Sequence, residues 1–139
     1  MRLQFLAAVF VAALMNVPTM AAIAADAPAR LGNPEQGRHD FAVCSACHQV
    51  GTNARNSVGP VLNGIVGRKA GSYPGYTYSA AMKNSGFTWT VAELQKYLAD
   101  PQKVVPGNKM PFPGLHDATK VDNIIAYLSR FNAKGEKAP

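Results

Sequence analysis

Charged side chains and cysteines are both scarce in this chain of 139 residues. Charged residues make up 16% of the sequence, with 14 Lys and Arg against 8 Asp and Glu, and only two cysteines are present. A framework of several disulfides is therefore excluded. No basic cluster is interleaved with aromatic residues, so we expect no nucleic-acid partner. The length suits one small core and excludes a large multidomain enzyme, while the 47% hydrophobic content argues against disorder.

Residues 1–24 contain a single charge, Arg2, and are typical of a secretory signal peptide. Their apolar run covers residues 3–15, about 13 positions, whereas a membrane span needs roughly 20. A small-x-small site predicts that the mature domain, 25–139, begins at Ala25, with cleavage one residue later as the second candidate. The alternative is an uncleaved membrane anchor. No later stretch could cross a bilayer, so we expect export to the periplasm without a membrane span.

The two cysteines, Cys44 and Cys47, are separated by two residues and are followed directly by His48. A disulfide between them would close too small a loop to stabilise much. A zinc site would need further ligands that the sequence does not supply, and a redox pair would need an alternation of strands and helices that is missing. In C-x-x-C-H, two thiols on one helical turn can add to the two vinyl groups of a haem, and the imidazole then approaches the iron. The motif therefore favours covalent haem attachment.

A second axial ligand must come from the few methionines and histidines that remain beyond the leader. Met110 lies in the segment 104–114, whose three prolines and two glycines exclude a helix or a central strand and indicate a stiff loop. We therefore predict Met110 as the ligand. Met82 is predicted to fill a gap in the core, His39 to face solvent, and His116 is the runner-up ligand.

Apolar spacing and capping residues predict short helices and no sustained strand. A helix capped by Asn33 is expected to run through Phe41 into the cysteine motif. A single helical turn should follow Ser79, and a capping box at Thr90 should begin a longer helix. The last helix is expected to start near Thr119. The prediction is one all-α domain.

Short motifs follow one another in a fixed order over about residues 34–131. They are Gly37, Phe41, Cys44-Ser45-Ala46-Cys47-His48, Gly59-Pro60, Gly67-Arg68-Lys69, Pro74-Gly75-Tyr76-Thr77-Tyr78, Thr88-Trp89, Tyr97-Leu98, Pro106-Gly107-Asn108-Lys109-Met110 and Ile125-Ala126-Tyr127-Leu128. In this number and order they resemble the class I cytochromes c, specifically mitochondrial cytochrome c and its soluble bacterial counterparts. The resemblance implies the cytochrome c fold, in which short helices wrap around one haem c attached through Cys44 and Cys47.

The same resemblance implies how this haem is held. His48 and Met110 would ligate the iron, and Pro60 would accept a hydrogen bond from the His48 Nδ1–H, which fixes the imidazole tautomer. The first and last helices would cross at Gly37, where the missing side chain permits close approach.

Five further residues would surround the cofactor, again by resemblance. Arg68, Tyr78 and Trp89 would satisfy the inner haem propionate, because a buried carboxylate without donors is costly. Tyr97 and Asn108 would lie near the sulfur of the methionine ligand and tune it.

The ligand set implies a function. Histidine and methionine together leave no open position on the iron, so the resemblance implies a monomeric electron carrier and not an enzyme. Its donor would be a quinol-oxidising respiratory complex or a periplasmic dehydrogenase, and its acceptor an oxidase or reductase. The alternative is a haem enzyme or gas-binding protein, peroxidase-like, in which Met110 is labile.

The surface around the exposed haem edge departs from the mitochondrial pattern. Mitochondrial relatives surround this edge with lysines, whereas here only Arg55, Lys103 and Lys109 stand at such positions. We expect a more apolar docking face, centred on Val43 and Phe112, with a weak dependence of electron-transfer rate on salt.

Overall fold

The computed structural model describes residues 32–138. The predicted leader, 1–24, and the predicted start of the mature domain lie outside these residues. The helices are α1 (Pro34–Asp40), α2 (Ala42–Ser45), α3 (Ala80–Lys83), α4 (Val91–Ala99), α5 (Pro101–Val104) and α6 (Ala118–Leu128). Pairing between strands within 32–138 is limited to the isolated bridges Lys69 to Thr88 and Phe131 to Lys137. The all-α prediction is confirmed.

Capping side chains explain where the helices begin. The carboxamide of Asn33 accepts hydrogen bonds from the first backbone N–H groups of α1, and the hydroxyls of Ser79 and Thr90 do the same for α3 and α4. Each cap satisfies a donor that the first helical turn leaves without a partner. Helix α5 was not predicted; it begins because Asp100 caps it and Pro101 suits the first helical position.

The predicted continuous first helix is wrong in one detail, because it is interrupted at Phe41. Helix α1 ends at Asp40 and α2 begins at Ala42. The Phe41 carbonyl accepts from the N–H groups of both Cys44 and Ser45, at 2.8 and 3.1 Å. The shorter of these spacings tightens the turn, as in a 3₁₀ helix, although Phe41 keeps right-handed helical backbone angles.

Helices α1 and α6 cross in close contact at Gly37. A Cβ atom on Gly37 would lie 1.9 Å from the carbonyl oxygen of Asn123 and 2.9 Å from the Cβ of Tyr127, so only glycine fits. The buried Asn123 side chain accepts from the N–H of Asn33 at 2.8 Å and donates to the carboxylate of Asp40 at 3.0 Å. One α6 side chain thus ties both ends of α1 to the crossing.

The core lies between this crossing and α4. Ile124, Ile125, Val61 and Pro101 are the largest fully buried side chains. They lie on two helices and on the loop between α2 and α3, so burial of apolar surface joins the helices to the long loops. Within residues 32–138, no helix has both the length and the apolarity needed to cross a membrane.

Candidate haem site

Four side chains with the chemistry expected of the site line one cavity of about 240 Å³: Cys44, Cys47, His48 and Met110. The rest of its wall is mainly apolar. It includes Phe41, Leu62, Ile65, Leu94, Leu98, Ile124 and Leu128. An apolar cavity with two thiols, an imidazole and a thioether on its wall fits a haem that is attached through thioether bonds and ligated on both sides.

The backbone around His48 fixes the orientation of its imidazole. His48 Nδ1 lies 2.7 Å from the carbonyl oxygen of Pro60, so Nδ1 carries the proton and Nε2 presents its lone pair. Burial lowers the pKa of His48, which keeps the ring neutral at pH 7 and suited to bind iron. A Cβ on Gly59 would lie 2.4 Å from His48 Cε1. The backbone of Gly59 therefore packs directly against the ring.

A second contact on the His48 side of the cavity, made by Asn63, was not predicted from the sequence. Its buried carboxamide accepts from the N–H of Gly51 at 2.8 Å and donates to the carbonyl of the same residue at 2.9 Å. This pair of bonds joins the segment after His48 to the segment after Pro60. An asparagine directly before a glycine, outside any helix, is the signal that could have indicated a loop contact here.

Met110 is held by side chains. The Tyr97 hydroxyl lies 3.7 Å from the Met110 sulfur, and burial raises the pKa of Tyr97 to about 12, so this hydroxyl stays protonated and can donate. The Asn108 carboxamide accepts from the N–H of Met110 at 2.8 Å and donates to the carbonyls of Pro101 and Val105, both at 2.9 Å. Asn108 thus acts on the backbone of the loop that carries Met110.

Arg68, Tyr78 and Trp89 all line the cavity. The Arg68 guanidinium donates to two backbone carbonyls, at 2.9 and 3.1 Å, and lies 4.7 Å from the centre of the Tyr73 ring. Burial lowers the pKa of Arg68, but a guanidinium remains charged at neutral pH. A half-buried cation that lines the same cavity as a phenol and an indole suits an anionic group such as a propionate.

The remaining candidates lie as follows. Met82 is 7% exposed and lines the cavity beside the core. His39 and His116 are exposed and are not among the described residues that line the cavity. Both methionines of the described residues, Met82 and Met110, line the cavity, and the Tyr97 hydroxyl lies 3.7 Å from the sulfur of Met110.

The Cys44 thiol is half-buried, and burial raises its pKa to about 11. The fold and the site together define a c-type haem protein.

The comparisons with known proteins agree with this class. Cytochrome c2 of Rhodoblastus acidophilus is 53% identical over 106 residues, which cover 76% of this chain and 99% of the relative. Cytochrome c-550 of Nitrobacter winogradskyi is 47% identical over 105 residues, covering 76% of this chain and 96% of the relative. The solved structure of cytochrome cH from Methylobacterium extorquens matches with a TM-score of 0.67 and 52% identity, over 70% of this chain and 98% of that one. No family model matches.

The chain therefore belongs to the class I cytochromes c, and the predicted resemblance is confirmed. It carries haem c attached through Cys44 and Cys47. Electron transfer is the class of function that follows from membership of this family.

Proposed function

We propose that this chain is a diffusible periplasmic carrier of single electrons in which His48 and Met110 are the axial ligands of the haem iron. The observation that supports this most directly is that both side chains line one cavity with the two cysteines, and that each is held by hydrogen bonds of its own. A haem iron with histidine and methionine ligands exchanges one electron between its ferrous and ferric states, and the thioether favours the ferrous state.

The residues around His48 and Met110 favour electron exchange because they restrict the movement of these two side chains. The Pro60 carbonyl keeps His48 in one tautomer, and Asn108 fixes the backbone of Met110. Pro106 and Pro111 restrict the backbone of the same loop. A site whose ligands do not move between oxidation states has little to reorganise when an electron passes. With both axial positions filled, no position is open for a substrate, so we propose that the protein is not an enzyme.

Arg68, Tyr78 and Trp89 are proposed to hold the inner haem propionate. Each lines the cavity, and together they offer a charged donor, a hydroxyl and an indole N–H. Without such donors a carboxylate in this largely apolar cavity would be costly.

The proposed docking face is the rim of the cavity. Val43 and Val58 line the cavity and are 59% and 65% exposed, and Phe112 lies on the same rim. Exposed apolar side chains of this kind are typical of an interaction surface. We propose that they meet a quinol-oxidising complex or a periplasmic dehydrogenase as donor and an oxidase or reductase as acceptor. Rates that fall steeply as ionic strength rises would contradict an apolar face.

The test begins with expression of the full chain together with a c-type maturation system. The thiols must be reduced before they can add to the vinyl groups. Intact mass should give one haem per chain and cleavage at the predicted site. A potentiometric titration should fit a single one-electron step, and added cyanide should leave the ferric spectrum unchanged at short times. A high-spin resting spectrum, as in a peroxidase-like protein, would contradict the proposal.

A further inference from the structure

Tyr76 lies between the loop that holds His48 and the loop that holds Met110. Its hydroxyl donates to the carbonyl of Val58 at 2.7 Å. Its ring lies 5.3 Å from the ammonium group of Lys109, and this ammonium group donates to the carbonyl of Thr77. We call these four residues the brace. It joins two loops, Val58 on one side and Lys109 on the other, through the segment that carries Tyr76.

Both ends of the brace lie close in sequence to the contacts that fix the ligands. Val58 comes two residues before Pro60, whose carbonyl orients His48. Lys109 directly precedes Met110. Val58, Tyr76 and Lys109 all line the cavity, so the brace spans its rim. A displacement of the Met110 loop away from the cavity would have to break the Lys109 link or pull Tyr76 away from Val58.

A second link strengthens the His48 end. The Asn56 carboxamide donates to the carbonyl of Pro74 at 3.0 Å and accepts from the N–H of Val61 at 3.0 Å. The segment that carries Tyr76 is therefore tied to the His48 side at two points. Lys109 ties that segment to the loop of Met110. The Met110 loop is thus connected, through Lys109 and the segment that carries Tyr76, to the loop on the His48 side of the cavity.

We propose that Tyr76 is a positioning residue that slows the departure of Met110 from the iron by coupling its loop to the Pro60 loop. This inference rests on the proposed function, because it takes Met110 as the ligand. Tyr76 acts through the backbone of Val58 and through Lys109, so its hydroxyl affects the lifetime of the bound methionine without contacting the sulfur.

The experiment compares four ferric holoprotein variants with the wild type: Tyr76→Phe, Lys109→Leu, the double variant and a control. Exogenous imidazole is the probe. Tyr76→Phe removes the hydroxyl and keeps the ring, whereas Lys109→Leu removes the cation and its hydrogen bond to Thr77. Loss of the sulfur-to-iron charge-transfer band after imidazole is added reports the departure of Met110. Tyr76→Phe should speed this step about fivefold, as expected for the loss of one ordinary hydrogen bond. Because the two links act in series, the double variant should be no faster than Lys109→Leu alone.

Tyr127→Phe is the matched control. Its ring packs against Phe41 and Phe131, with centroid distances of 5.6 and 5.2 Å, and Tyr127 is not among the described residues that line the cavity. This variant should exchange its ligand at the wild-type rate. An unchanged rate in Tyr76→Phe, fully additive effects in the double variant, or equal acceleration in Tyr127→Phe would each overturn the inference.

Amide hydrogen exchange gives a readout that does not depend on the ligand. The Met110 N–H donates to Asn108 at 2.8 Å, and the Ser129 N–H donates to the Ile125 carbonyl at the end of α6 at 2.9 Å. Tyr76→Phe should speed exchange at Met110 and leave exchange at Ser129 unchanged. Equal acceleration at both amides would indicate a general loss of stability and would contradict a positioning role.

The two measurements also separate failure of the inference from failure of the proposed function. A wild-type ferric protein without the charge-transfer band would contradict Met110 ligation, and hydrogen exchange would then decide whether Tyr76 still restrains the loop. A wild-type protein with the band, together with unchanged exchange of ligand and amide in Tyr76→Phe, would overturn the inference alone.

Discussion

The protein holds His48 in place mainly through backbone contacts, whereas it holds Met110 in place mainly through hydrogen bonds from side chains. The imidazole packs against Gly59, where a Cβ would lie 2.4 Å from the ring, and bonds to the Pro60 carbonyl at 2.7 Å. The Met110 loop instead depends on Asn108, which makes bonds at 2.8 and 2.9 Å, and on the Tyr97 hydroxyl 3.7 Å from the sulfur.

This difference indicates which side of the site can open. A ring in van der Waals contact with backbone can leave only if the backbone moves, and His48 is also next to a covalent anchor at Cys47. A loop held by the hydrogen bonds of a few side chains can detach when those bonds break, at a cost of about 1 kcal/mol each. We therefore expect Met110, and not His48, to be the ligand that dissociates first.

Gly59→Ala should have the largest effect on stability and on the ferric spectrum because it disturbs the tight packing around His48. The added methyl group has no space beside His48, so the free energy of unfolding should fall by about 3 kcal/mol. The ferric spectrum should also change, because the imidazole must tilt away from the Pro60 carbonyl. Urea unfolding and absorption spectra of the holoprotein measure both effects.

Gly37→Ala is the matched comparison for this substitution. Its methyl group would clash with the carbonyl of Asn123 at the helix crossing, so stability should fall while the ferric spectrum keeps the wild-type form. Equal spectral changes in the two variants would show that the His48 side is not specified by the contact with Gly59.

Asn108→Ala should have the next largest effect. It removes the hydrogen bonds that hold the Met110 loop in place. The substitution leaves the carbonyls of Pro101 and Val105 without this donor and the Met110 N–H without this acceptor. We expect a loss of about 2 kcal/mol in the affinity of the iron for Met110, measured as tighter binding of added imidazole. Asn63→Ala, the corresponding change on the His48 side, should leave imidazole binding close to wild type.

Tyr97→Phe should have a smaller effect. It removes the hydroxyl 3.7 Å from the Met110 sulfur and keeps the ring packed against Trp89, with centroids 4.8 Å apart. A bond of this length to sulfur is weak, so the affinity for Met110 should change by about 0.5 kcal/mol. An imidazole titration of the ferric protein measures it. A change as large as that in Asn108→Ala would mean that the sulfur contact, and not the loop backbone, holds the ligand.

Asp40→Asn should have the smallest effect, a change in stability alone. Asp40 lies in α1, away from the contacts that hold His48 and Met110. The hydrogen bond from Asn123 holds the pKa of Asp40 below its ordinary value of 3.8. A carboxyl group with a lowered folded-state pKa stabilises the protein above its unfolded pKa, and this contribution is lost as pH falls through the folded value. The urea midpoint of Asp40→Asn should therefore lie below that of the wild type at pH 7, and the two should converge well below pH 3.8. A difference that does not depend on pH would contradict this origin.

Local sequence features predict the helices and haem attachment at Cys44 and Cys47, because helix caps, apolar spacing and the C-x-x-C-H motif each involve only a few neighbouring residues. Composition also leads to the prediction of Met110, since few methionines remain and only this one lies among prolines, and Met110 lines the cavity. The break at Phe41 was not predicted because its cause is a local tightening of hydrogen bonds that no residue type requires.

Which residues meet in the contacts between loops could not be predicted from the sequence. Asn63 meets Gly51, and Tyr76 meets Val58, across separations of 12 and 18 residues. No periodicity connects such pairs, because each depends on how the long segment between α2 and α3 folds around the cavity. The packing of Gly59 against His48 belongs to the same group, since a missing side chain carries no signal of what occupies its space.

The ferric absorption spectrum of the matured holoprotein, recorded for wild type, Met110→Ala and Met82→Ala, tests the central claim most directly. Both methionines line the cavity, so each variant removes one thioether from the same site. We expect the sulfur-to-iron charge-transfer band in the wild type and in Met82→Ala, and its loss in Met110→Ala. A band that persists in Met110→Ala, or a wild-type protein without one, would contradict ligation by Met110.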